Sequence, residues 1–171
     1  AHQATNVLTT ERDDPFLELA AAACNLLADS LGVRYCGVVA LENERLHGAS
    51  SEFMRLPHQL RQRTIHAVCQ QVTASTFDDD EAHSNKLIEA EVDAELGESA
   101  AAIFCPETET VAFAVPPPGK TISLVPFRRA AVSALPIIYR VEDLRAERTK
   151  LINAHGLLSH VQELAKIGGW E

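Results

Sequence analysis

The chain has 171 residues, 46% of them apolar, enough to build the core of one domain. Fifteen basic residues stand against 24 acidic ones, a net charge of −9, so a phosphate backbone exerts little long-range pull and nucleic-acid binding is not expected. No apolar run reaches the ~20 residues that cross a bilayer, the opening AHQATNVLTTERDD has no signal-peptide core, and the four cysteines show no CxxC pair; the reading is a cytoplasmic chain with reduced, buried thiols.

The first predicted element is a helix. Asp14-Pro15 supplies an N-cap with proline at the first helical position, and Phe16, Leu19, Ala20, Ala23, Leu26, Leu27 and Leu31 follow at helical spacing up to Gly32. VRYCGVVAL and RLHGASS, separated by ENER, read as a β-hairpin. After Pro57 a second helix places Leu60, Thr64, Val68 and Val72 on one stripe, and a third helical signal runs from Asn85 to Leu96, capped by Ser84 and stopped by Gly97. The acidic run Asp78-Asp79-Asp80-Glu81 between them lacks the alternate ligand spacing and central glycine of a calcium loop and reads as a solvated turn.

In the second half the period shortens. AAAIFCP, TVAFAV, KTISLVPFR and AVSALPIIYR read as strands, with Pro126 and Pro136 at strand ends or bulges. Helical spacing returns from Val141 to about Lys166. The fold class is therefore α+β, an antiparallel sheet of five or six strands with helices packed on it and a long C-terminal helix.

Chemistry-bearing motifs are few. His66 and Cys69 stand one helical turn apart, but zinc takes four ligands and no second pair has compatible spacing, so no metal site is expected. No glycine-rich phosphate loop, G-x-S-x-G or HExxH occurs, and no base, nucleophile and orienting partner stand together, so the chain is not read as an enzyme. Arg61 and Arg63, like Arg128 and Arg129, read as solvated surface cations. All four thiols lie in apolar stretches without an adjacent lysine and are expected to be poor nucleophiles, Cys69, beside His66, the least inert of them.

FLELAAAACNLLADSLGVRYCGVVALENERLHGASS resembles the opening of a GAF domain, and ISLVPFRRAAVSALPIIYR resembles its closing strands; the final LAKIGGWE resembles the first residues of a PAS domain. The resemblance divides the chain into an N-terminal tail (1–13), a GAF-like sensory domain (14–142), an outgoing signalling helix (143–166) and the opening of a PAS-like domain (167–171), to which Trp170 belongs unless it folds back on the core. It implies a regulatory module of a multidomain bacterial signal-transduction protein whose output domain, a histidine kinase or a cyclic-dinucleotide enzyme, would do any catalysis. Cys105 is followed by Pro106 rather than histidine, which removes the bilin attachment pair, and Asn85-Lys86 lacks the remaining residues of the cyclic-nucleotide set; no haem signature is present either. The cysteines are also not clustered as in the relatives that reduce methionine sulfoxide. What remains is an unspecified small effector in a cavity between the sheet and the 57–97 helices, lined by Cys36, His66, Cys69, Phe77, Phe104, Phe113 and Tyr139, or else a ligand-free structural dimerisation domain.

The outgoing helix carries its own signal. Leu144, Leu151, Leu158 and Ala165 recur every seven residues, with Ala154 and Val161 three after two of them, the a/d seam of a two-stranded coiled coil. A helix from Val141 to Lys166 is roughly 38 Å long, against an expected radius of gyration near ~14 Å, so its own domain cannot cover it. Leu144 to Leu151 are expected to pack on the sheet, and Leu151, Ala154, Leu158, Val161 and Ala165 to meet a second copy in a parallel homodimer, weakened by His155 and Gly156.

Overall fold

The computed structural model describes residues 15–78 and 86–168. The N-terminal tail, the acidic residues from Asp79, the Ser84 cap, Asn85 and Trp170 fall outside the described residues, as does the side chain of Phe77.

Helix α1 (Pro15–Leu31) ends on Gly32 at φ +68°, a conformation that glycine adopts without a Cβ penalty. Strands β1 (Tyr35–Ala40) and β2 (Leu46–Ala49) form the expected antiparallel hairpin, with a bulge between Val38 and Val39. The short α2 (Ser51–Met54) leads into α3 (His58–Asp78), whose Leu60, Thr64, Val68 and Val72 are all buried, as their spacing predicts. Asn25 of α1 ties down the start of α2, accepting from the Ser51 amide at 2.8 Å and donating to its hydroxyl at 2.9 Å. Strands β3 (Ile88–Glu91), β4 (Ser99–Cys105) and β5 (Thr110–Val115) complete one antiparallel five-stranded sheet of order β2-β1-β5-β4-β3.

Two expectations are corrected here. The 85–96 segment is not a helix: Ile88 and Ala90 point inward and Glu89 and Glu91 outward along β3, so a period of two and pairing with β4 override the helix propensity of Glu and Ala. Only the backbone bonds from Leu96 and Gly97 back to the Asp93 carbonyl keep a single turn. The stretch 122–140 is not a pair of closing strands either. It opens α4 (Leu124–Gly168), a single helix of 45 residues. Pro126 sits in its first turn, where an amide is not needed, and Phe127, Ala131, Ala134, Ile138 and Val141 form its buried stripe.

Strand alternation divides the core. Val39, Ala100, Ala102, Phe104, Val111, Phe113 and Val115 face α2 and α3, while Cys36, Val38, Ala101, Ile103, Ala112 and Ala114 face α1 and α4. The result is three layers, with the sheet in the middle. Arg148 stands 5.7 Å from the centre of the Phe16 ring, so α1 starts beside the middle of α4 and runs back antiparallel along it.

Candidate functional site

Of the residues expected to line one cavity, the six whose side chains are described do not come together. Cys69, Phe104 and Phe113 belong to the α3-side core; Cys36 is sealed on the opposite face, its thiol donating to the Cys24 carbonyl at 3.0 Å. His66 is exposed on α3, its Nδ1 2.7 Å from Glu44, a surface pair worth at most about 1 kcal/mol. Tyr139 is on α4, half-buried on the α4 side of the sheet. The sheet separates these groups because alternate residues of a strand face opposite ways.

The space between α3 and the sheet is occupied by side chains. The Phe53 and Phe113 rings meet edge to face, with centroids 5.4 Å apart, and Gly37 leaves room for them: a Cβ there would stand 2.9 Å from the Gly48 carbonyl oxygen and 3.0 Å from the Phe113 ring. Clefts on that side open beside the β1–β2 turn, one lined by Asn43, Gln59, Gln62, Arg63 and His66, another by Leu41, Glu44, Cys69 and Thr73.

A different cleft lies on the other face, between the β4–β5 hairpin and α4. Its volume is about 340 Å³, and Ile103, Ala112, Ala131, Val132 and Leu135 line it together with Thr108 and Tyr139. At one end, Thr108, Thr110 and Tyr139 place three hydroxyls in mutual contact at 2.8, 2.9 and 3.1 Å. The sequence signal for this cleft is a pair of small residues, Ala112 and Ala131, in segments that only the fold brings together.

The thiols follow burial. Burial, with the Glu44 carboxylate beside it, pushes the Cys69 thiol up to about 12, and the hydrogen bond that the Cys24 thiol gives to the Cys36 sulfur, ahead of burial, drives Cys24 still higher. Cys69 is thus not the least inert; Cys105 is the only one of the four that is not buried. A stoichiometric maleimide titration of the native protein should label one thiol quickly, at Cys105, and the other three only on unfolding. Fast labelling of Cys69 would contradict this.

Where α4 leaves the sheet it is held by charge. Glu142 pairs with Arg45 of the β1–β2 turn at 2.9 Å and with Arg145 at 3.1 Å. His47 stands against this cluster with its Nδ1 buried and unpartnered. Burial lowers its pKa, Glu142 opposes, and Arg45 and Arg145 lower it further; the net direction is down. The folded protein therefore binds fewer protons at this site than the unfolded chain, so stability at His47 is complete above about 6.5 and is lost as pH falls below it. Melting temperature should drop between pH 7 and 5, and His47→Gln should make that drop shallower; an unchanged pH slope would remove His47 from the account.

Beyond Arg145 every described side chain of α4 is exposed. Leu151 is 70% and Leu157 67% exposed, with Ile152, Leu158, Val161 and Leu164 each above half. Leu151 does not pack on the sheet as expected; Leu144 and Arg145 are the last partly buried side chains of α4, and Arg148 still reaches the Phe16 ring. The stretch 151–162, LINAHGLLSHVQ, contains no Asp, Glu, Lys or Arg. Among the described residues no helix is long and apolar enough to cross a membrane.

The fold and these surfaces define a class only: an α+β domain with a buried sheet and a projecting apolar helix. No family model and no curated protein matches the chain.

Proposed function

We propose that this chain is a regulatory module that works as a parallel homodimer through α4, passing a conformational change at the sheet along that helix to whatever α4 leads into. The observation that carries the reading is the exposed, charge-free stripe on 151–162. At ~100° per residue, Leu151, Ala154, Leu157, Leu158, Val161, Leu164 and Ala165 fall within roughly 140° of helix surface, an arc that water-facing helices fill with charge. The stripe continues toward the domain. Counting back from Arg148 against Phe16, Leu19 of α1 is level with Arg145 and Leu26 with Ile138, and Leu19, Leu26 and Ile137 are exposed as well.

The opening segment that resembles a GAF domain, Phe16 to Ser51, folds as a helix and hairpin, which suits a sensory domain of that kind; the resemblance of 122–140 to closing strands lends no support, because that stretch is helix. The second reading, a ligand-free dimerisation domain, draws on the filled interior at Phe53, Phe113, Val68 and Val72. Both readings need the dimer. Sedimentation velocity over a wide concentration range should give a two-chain species, and a monomer at every concentration would sink both.

A further inference from the structure

The cleft between the β4–β5 hairpin and α4 has walls and an end of different chemistry. Its walls are apolar because Ala112 of β5 and Ala131 of α4 oppose each other in a layer that elsewhere takes Phe127 and Ile138, leaving a slot flanked by Ile103 and Leu135. Its volume of about 340 Å³ falls in the range of small-molecule sites.

The protons at its end can be counted. Thr108 donates to the Tyr139 hydroxyl at 3.1 Å, so its single proton is spent. The Thr110 proton then serves the 2.8 Å contact with Thr108 or the 2.9 Å contact with Tyr139, and the phenol, which Cys105 also reaches, gives its proton within the same cluster. Burial raises the Tyr139 pKa, so the phenol proton is present at neutral pH. The three hydroxyl protons are thus spent within this cluster, and the exposed Thr108 oxygen keeps a lone pair. The end of the slot is therefore an acceptor. Glu107 adds a second acceptor at the rim, with Arg128 also lining the cleft.

We propose that this cleft binds a small apolar molecule carrying a hydroxyl or N–H donor, its body between Ala112, Ala131 and Leu135 and its donor on the Thr108 oxygen at the hydroxyl cluster. A carboxylate has no proton to give those oxygens, and Glu107 offsets the attraction of the Arg128 guanidinium for it. The site also lies where Pro136 deprives α4 of one internal hydrogen bond, so a ligand seated there presses on a turn of the helix that is one bond short. Only this last step rests on the regulatory reading.

The test uses the whole chain and three probes of one shape: 2-naphthol, 2-methoxynaphthalene and 2-naphthoate, titrated by ligand-observed NMR. Naphthol should saturate at one per chain, with the methoxy compound and the naphthoate each about tenfold weaker or worse. Val132→Trp fills the slot from an exposed position and should abolish naphthol binding while the melting curve is unchanged. Tyr139→Phe breaks the cluster, frees a threonine proton and should narrow the gap between naphthol and its methyl ether. The Leu158→Glu/Val161→Glu double variant should bind naphthol as the unmodified chain does, which separates failure of the site from failure of the dimer. Equal binding of the three probes, preference for naphthoate, no saturable binding, or full binding by a folded Val132→Trp protein would each overturn the assignment.

Discussion

Replacing Leu158 and Val161 with glutamate should convert a two-chain species into monomers and leave the domain folded. Both side chains are more than half exposed in the single chain, so neither contributes to the core, and the substitution costs the monomer little. In a paired helix the same positions sit on the shared seam, where four carboxylates would be brought together out of water. The loss should exceed tenfold in dimerisation constant for each position. Sedimentation gives the mass, and far-ultraviolet circular dichroism with a melting curve checks the fold. A double variant that stays dimeric would move the interface elsewhere. A variant that unfolds would mean that α4 beyond Arg145 supports its own domain, contrary to its exposure.

Phe113→Ala should destabilise more than any surface change, by about 3–5 kcal/mol. The ring is fully buried at the centre of β5, edge-on to Phe53 and directly over Gly37. Its removal leaves a void whose neighbours, Phe53 on a short helix and the backbone of β1, cannot close in without moving strands. For a domain of this length that corresponds to roughly 10 °C or more in melting temperature. Gly37→Ala approaches the same contact from below. Its Cβ would meet backbone as well as ring, so the sheet itself must shift, and a loss of about 1–3 kcal/mol is expected. Thermal unfolding of both variants measures this; a Phe113→Ala protein within 1 kcal/mol of the unmodified one would mean the core repacks freely.

These residues also show where sequence was informative. The α3 stripe was legible because Leu60, Thr64, Val68 and Val72 alternate with polar residues on the other sides of the helix. Strands β4 and β5 were legible because both faces of a central strand are buried and both read as apolar. The start of α4 was hidden for the opposite reason. Its buried stripe of Phe127, Ala131, Ala134, Ile138 and Val141 has the right spacing, but exposed Val125, Val132 and Ile137 fill the gaps and erase the period, and the prolines add a second strand-like cue. The cleft leaves only a faint trace in the sequence, two small residues far apart in the chain. It depends on Ala112 facing Ala131 and on a cluster of hydroxyls from Thr108, Thr110 and Tyr139, and no spacing along the chain announces either.

The pairing of α4 can be tested directly through its seam. Leu151→Cys and Leu158→Cys, made separately and oxidised at low protein concentration, should each give a covalent dimer on a non-reducing gel, because in a parallel, in-register pair every a position faces its own copy. Ser159→Cys, one residue off the seam, should cross-link far more slowly. Efficient cross-linking at both seam positions and not at Ser159 is the expected result; cross-linking at only one of them would mean an antiparallel pair, and equal cross-linking at all three, or at none, would contradict the dimer.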